Sequence, residues 1–261
     1  MLKKRLIPVL FLKNGLIVRS EGFAYHQNIG NPIAEAKRYS DWNVDELIYV
    51  DISRESYYDL RRDDLAVQGQ ADILSIVEEV SKVCFMPLTF GGGIRNLDDI
   101  RNRLHRGADK VTINSIAVDD PDFIKRSSNE FGSQCIIVSI DYKYIDGKPR
   151  VFKGGLIETA LDPIDFALDA EKRGAGEVFL NSIDRDGHAE GYDIEMIGKI
   201  SSSLSIPVIG CGGAGSFYDF VDLAEETEVS AIAAGNIFHF TELSYPRAKQ
   251  TLLKNGVEVR S

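Results

Sequence analysis

The chain has 261 residues, 44% of them hydrophobic and 27% charged, and a formal net charge of −10 at pH 7. This composition is enough to fill one large core and excludes disorder, while the acidic excess argues against a nucleic-acid partner, whose phosphates need clustered Lys and Arg. The longest apolar runs, such as CIIVSI at 135–140, fall far below the roughly 20 residues that cross a bilayer, so no membrane partner is expected.

The basic start MLKKRLIPVLF has too short an apolar run for a signal peptide and lacks a small-residue cleavage site, so a cytoplasmic protein is expected. RLIPVL at 5–10 then reads as a strand and PIAEAKRYSDW at 32–42 as an amphipathic helix. ELIYVDI (46–52) and MPLTFGG (86–92) follow as strands, and NLDDIRNRLHRG (96–107) as a helix. Next come the strands DKVTIN (109–114) and CIIVSID (135–141), the helix DPIDFALDAEKRG (162–174) and the strand EVFLNSI (177–183). IPVIGCGG (206–213), the helix FYDFVDLAEET (217–227) and SAIAAGN (230–236) complete the series. A strand covered on both faces need not alternate polar and apolar residues, so these eight runs predict buried parallel strands. Strand and helix alternating eight times predicts one (β/α)8 barrel over residues 1–261, a fold that typically takes about 250. A doubly wound open sheet would want a GxGxxG turn after its first strand, and FLKNG does not supply it.

Cys84, Cys135 and Cys211 are widely spaced and read as ordinary buried or half-buried thiols, and none of the four histidines sits at metal-ligand spacing. Neither metal nor cofactor is expected.

The two halves of the chain resemble each other. PLTFGGGIRNLDDI, followed by KVTINSIAV, is answered by PVIGCGGAGSFYDF, followed by AIAAGNIF. Each half has a Gly cluster ahead of a helix and a small or amide-bearing pair at the next strand end. The first set is Gly92, Gly93, Asn114 and Ser115; the second is Gly212, Gly213, Gly235 and Asn236. Backbone N–H groups exposed by Gly at a helix N-terminus bind phosphate. Two copies predict a ligand with a phosphate at each end. The same repeat sets LFLK (10–13) against IDYK (140–143), so Asp141 at the end of strand five has Phe11 as its counterpart at the end of strand one. A carboxylate at a strand's C-terminal end is the usual position for an acid or base in this fold.

DELIYVDI, GGGIRN, RGADKVTINS, FGSQ, EKRGAGEVFLNSIDRDG, GYD and GGAG together resemble the cyclase subunit of imidazole glycerol phosphate synthase, from histidine biosynthesis. The resemblance implies a barrel whose N-terminal face binds a class I glutaminase, which releases ammonia below for use above. It also implies a substrate with two phosphates, and two aspartates, at the ends of strands one and five, for ring closure. By position, Asp141 matches the second aspartate. Gly93, Asn114 and Ser115 match one phosphate site, and Gly213, Gly235 and Asn236 match the other. Asn181, Ser182 and Asp186 match the mouth between them, and Arg5, Glu46, Lys110 and Glu177 match a ring of charges gating ammonia entry.

Three positions depart from that pattern. Phe11 replaces the first aspartate, Arg19 stands where the family has a lysine in a mobile loop, and the segment 54–70 is long enough to lie over the mouth. PVLFLKNG resembles instead a second branch of the family, associated with acetamidino sugars of bacterial surface polysaccharides. The leading expectation is therefore an ammonia-conducting synthase subunit that serves a separate sugar amidotransferase. The alternative is an imidazole glycerol phosphate synthase cyclase that tolerates Phe11. A third reading is a non-catalytic binder of a bisphosphate that activates a glutaminase.

Overall fold

The computed structural model describes residues 3–54, 57–58, 69–239 and 242–260. Eight strands form the barrel: β1 (Arg5–Lys13), β2 (Leu47–Asp51), β3 (Leu88–Gly91), β4 (Lys110–Ile113), β5 (Ile136–Ile145), β6 (Glu177–Ser182), β7 (Val208–Cys211) and β8 (Ala231–Ala234). Neighbours pair in parallel, and β8 returns to β1 with Arg5–Pro8 against Ala231–Ala234, which closes the cylinder. Helices Pro32–Asp41, Ile73–Val83, Leu97–His105, Asp122–Phe131, Pro163–Lys172, Ile194–Ser203, Phe217–Glu226 and Ser244–Lys254 surround it. This is the predicted (β/α)8 barrel.

Period-two geometry explains the apolar runs. Along β1, Ile7, Val9 and Phe11 point into the barrel with Ile48, Ile137, Phe179 and Ile209. Leu6, Leu10 and Leu12 point outward, where they pack with Tyr49, Phe90 and Ile140 under the helices. Both faces of each strand are dry, so apolar side chains fill most positions on both.

The internal repeat persists in local detail. Asn31 and Asp162 each cap a helix whose first residue is Pro, with the cap oxygen accepting from the second and third helical N–H groups. Asn96 with Asp99, and Ser216 with Asp219, form capping boxes at the two helices that follow the Gly clusters. The turn glycines have corresponding reasons. Gly92 lies at φ +91°, where a Cβ would come within 2.0 Å of the Asp51 carbonyl oxygen, and Gly212 lies at φ +98°, where a Cβ would come within 2.7 Å of the Ser182 carbonyl oxygen.

Two antiparallel extensions rise from the mouth, one in each half. β1 turns at Asn14-Gly15 into strands Leu16–Glu21 and Tyr25–Gly30; β5 turns at Asp146-Gly147 into Lys148–Lys153. All four turn residues have positive φ, as a two-residue type I′ turn requires. Of the 54–70 segment expected over the mouth, residues 55–56 and 59–68 lie outside the described residues.

Candidate functional site

The barrel's two ends hold different chemistry. At the strand beginnings the four predicted charges meet. Arg5 Nη1 donates to Glu46 Oε1 at 2.8 Å and its Nη2 to Glu177 Oε2 at 2.6 Å. Lys110 donates to Glu177 and lies 3.5 Å from Glu46 Oε2. Each cation thus touches both carboxylates, and Arg5, Glu46 and Glu177 are buried. Burial alone would disfavour the charged forms, yet the Arg5 pKa is raised and the Glu177 pKa lowered, so the pairing outweighs desolvation at both. Arg260, which sequence reasoning missed, adds a third cation 3.7 Å from Glu46 Oε1. It arrives because the C-terminal segment pairs with the start of β1, through Lys4 and Val259. No local sequence signal announces a pairing between the two ends of the chain.

Above this ring the interior is mostly apolar, with Thr89 among its side chains, as far as the mouth, where two cavities open. The first, about 310 Å³, is lined by Gly92, Gly93, Asn114, Ser115, Asp141 and Asn181 among others, with aromatic walls from Phe11, Phe23 and Phe179. The second, about 270 Å³, is lined by Arg19, Asp186, Gly212, Gly213, Gly235 and Asn236. The structure therefore gathers the two predicted sets separately, one per half.

Asp141 is buried at the floor of the first cavity, where it accepts from Ser139 Oγ at 3.3 Å and Asn181 Nδ2 at 3.4 Å. Burial pushes its pKa up from 3.8 to about 6, against the help of those two donors. A carboxyl that titrates near neutrality can both give and take a proton. Opposite the family's expectation, Phe11 faces the cavities with its ring edge-on to Phe23, centroids 5.3 Å apart. The other carboxylate whose charge reaches Asp141 is Asp186. It is occupied in holding the first extension, accepting from Ser20 Oγ at 2.6 Å and Phe23 N at 3.2 Å.

One expected site residue needs correction. Ser182 lines neither cavity: the period of the strand that carries Asn181 inward turns Ser182 outward, beside the Tyr142 phenol. Asn114 and Asn236 stand at the cavities, but their amides are engaged. Asn114 accepts from Gly154 N at 2.7 Å and donates to the Ser139 and Phe152 carbonyls, while Asn236 donates to Ser20 O at 2.7 Å. Each amide clasps the antiparallel extension of the other half. The N-termini of helices Leu97–His105 and Phe217–Glu226 are likewise closed, by Asp99 accepting from the N–H groups of Arg95 and Asn96 and Asp219 from those of Gly215 and Ser216. Two cations on the first cavity, Arg54 and Arg95, escaped sequence reasoning. So did Arg103, whose buried guanidinium donates to the Gly92 carbonyl at 2.6 Å and fixes that turn.

The three cysteines are free, with Cys84 and Cys211 buried and Cys135 half-buried. Among the described residues, no group of three His, Cys, Asp or Glu is arranged to hold a metal, and no helix is long and apolar enough to cross a membrane.

Residues 5–244 match the family described as histidine biosynthesis protein. The chain belongs to this family. It is 42% identical over 262 residues to imidazole glycerol phosphate synthase subunit HisF of Hydrogenobaculum sp. (strain Y04AAS1), covering 100% of both chains. It is 43% identical over 258 residues to the subunit HisF of Campylobacter concisus, covering 98% of each, and 39% identical over 262 residues to that of Leuconostoc mesenteroides, covering 99% of each. Within the family the chain thus groups with the HisF subunits, which sustains the resemblance to the cyclase subunit. These names favour the histidine-biosynthesis alternative over the surface-polysaccharide expectation.

Proposed function

We propose that this chain is the synthase subunit of a glutamine amidotransferase pair of the imidazole glycerol phosphate synthase type. A class I glutaminase docks on the face of the strand beginnings, and its ammonia passes the charged ring into the apolar interior. At the mouth the ammonia meets a phosphorylated ligand held by the glycine turns, with Asp141 moving protons. The observation that carries this reading is the complete ring of Arg5, Glu46, Lys110 and Glu177 at the entry of a barrel whose opposite end holds a near-neutral carboxyl.

The relatives' names support histidine-pathway ring closure as the reaction at the mouth, by which a ribulosyl bisphosphate precursor and ammonia become imidazole glycerol phosphate and a carboxamide ribotide. One specific observation favours a second reading. Phe11 brings no carboxylate to the wall where that ring closure needs one, so ammonia would serve another acceptor, such as a polysaccharide sugar brought by a separate amidotransferase. Losing one member of an acid/base pair typically costs about 10²- to 10⁴-fold in rate.

The deciding assay mixes purified chain, ammonium and the histidine-pathway precursor. Turnover at an ordinary enzyme rate supports ring closure and removes the sugar reading. Turnover depressed by the stated factor, and regained in Phe11→Asp, supports the second reading. If a class I glutaminase neither binds the chain nor is stimulated by it, the amidotransferase proposal itself fails.

A further inference from the structure

The floor of the first cavity presents oxygen acceptors that the chain leaves without donors. Asp141 and Asn181 are register partners on β5 and β6, so their side chains rise side by side from the barrel wall. Both donors that reach Asp141, Ser139 Oγ and Asn181 Nδ2, go to its Oδ1, and Oδ2 is left to the cavity. Asn181 Oδ1 and Thr112 Oγ1 are buried with no hydrogen-bond partner, in residues 1% and 4% exposed that line the same cavity. Buried polar atoms left open in a ligand-sized cavity mark where a bound molecule completes the set. An ionised carboxylate and an amide oxygen can only accept, so the group that completes this floor must donate.

The walls decide the charge and shape of that donor. Phe11, Phe23 and Phe179 line the cavity around the one carboxylate that has an oxygen to spare. Asp51 is on the lining too, but its oxygens accept from Ser53 N at 2.9 Å and Tyr58 Oη at 2.8 Å. Arg54 and Arg95 are exposed and stand on the solvent side of the cavity, away from this buried floor. Aromatic rings beside a desolvated carboxylate attract a cation, and a planar delocalised cation sheds water more readily than a compact ammonium. We infer that the floor of the first cavity is a binding site for a planar nitrogen cation of the amidinium class. Its N–H groups meet Asp141 Oδ2 and Asn181 Oδ1, and its flat face lies against the phenylalanine wall. Phe11 then serves as part of a cation site, a role that an aspartate at that position would not fill. This extends the reading of Asp141 as the working carboxyl of the mouth by naming the chemistry of what sits on it, and it uses neither glycine turn.

NMR titration of the intact chain at pH 8 and constant ionic strength tests the site. Acetamidinium chloride is the probe, acetamide its neutral match in shape and ammonium the compact cation. Acetamidinium should bind once per chain, at least tenfold more tightly than either. Because the probe needs the ionised carboxylate, affinity should fall about tenfold for each pH unit below about 6, where Asp141 takes up its proton. Asp186 and the Cys211 thiol are the other titratable groups that reach Asp141, and burial raises the pKa of both. Asp141→Asn should abolish binding, and Asn181→Leu should weaken it about tenfold, the loss of a hydrogen bond to a charged group. Phe11→Leu, which keeps apolar bulk in the core, should weaken it about threefold by removing a ring face. Acetamide or ammonium binding as tightly as acetamidinium, no acetamidinium binding, or binding that survives Asp141→Asn overturns the inference. No glutaminase or phosphorylated ligand enters these titrations. Failure of glutaminase coupling with amidinium binding intact therefore strikes the proposed function alone, and the converse result strikes this site alone.

Discussion

Asp141 is the side chain on which the proposed chemistry of the mouth rests. Its folded pKa, about 6, lies above the 3.8 of a solvated aspartate. Between those values the folded chain retains a proton that the unfolded chain has released, so this group's contribution to stability falls as pH rises through that window and stays low above it. Asp141→Asn removes the cost while keeping an acceptor for Ser139 and Asn181. We expect the variant to gain about 1–3 kcal/mol of unfolding free energy at pH 8 and nothing at pH 3.5, measured by urea titration at both. Its turnover should be lost at every pH. Phe11 is the complementary case. Phe11→Asp puts a second carboxyl into the same apolar mouth, and its gain of ring closure should come with lower stability, since the edge-on contact with Phe23 is lost and a charge is buried. Both residues were legible in the sequence as a broken repeat. That Phe11 lines both cavities was not, because its surroundings depend on where Phe23 lands from another segment.

At the scale of elements, the ring at the strand beginnings joins β1, β4 and β6 to the residue just before β2. Glu177→Gln leaves Arg5 and Lys110 short of a counter-charge in a buried setting, a change that typically costs about 3–5 kcal/mol. Because the folded pKa of Glu177 is lowered, its stabilisation is present above the ordinary carboxylate value of 4.5 and is lost as pH falls through the lowered one. Chemical denaturation of wild type and variant should therefore converge at low pH. Lys110→Met tests the same ring as a gate: glutamine-driven turnover should fall more than ammonium-driven turnover, which enters without the docked partner. The glycine turns make a sharper prediction. Gly92→Ala sets a Cβ against the Asp51 backbone at positive φ, so the turn must deform, and a loss of more than about 2 kcal/mol is expected by thermal unfolding. The antiparallel extensions have a local signal in Asn14-Gly15 and Asp146-Gly147, whose positive φ angles suit tight hairpin turns. Once they are in place, the engagement of Asn114 and Asn236 follows, since an amide beside an extension with open carbonyls finds them before any ligand does.

For the whole molecule, the barrel separates a closed ionic end from an open end with glycine turns. The loop entering β3 leaves Phe85 90% exposed at the closed end, beside which the C-terminal segment brings Arg260 to Glu46. If a glutaminase docks there, amide exchange should slow at residues 84–87 and 258–260 and stay unchanged at 16–30, as read by hydrogen exchange with and without the partner. Protection at the extensions instead would relocate the partner to the mouth. The sequence by itself determined the barrel and its doubled half, because strand period and glycine turns are local requirements written residue by residue, while the charged ring and the missing carboxylate were legible through the resemblance to the cyclase subunit. Tertiary structure alone decided that Ser182 faces the helices, that two amides hold the extensions, that Arg260 joins the ring and that Phe11 lines both mouth cavities. Each of those depends on which distant segment reaches a given side chain first, and that is settled only when the cylinder closes.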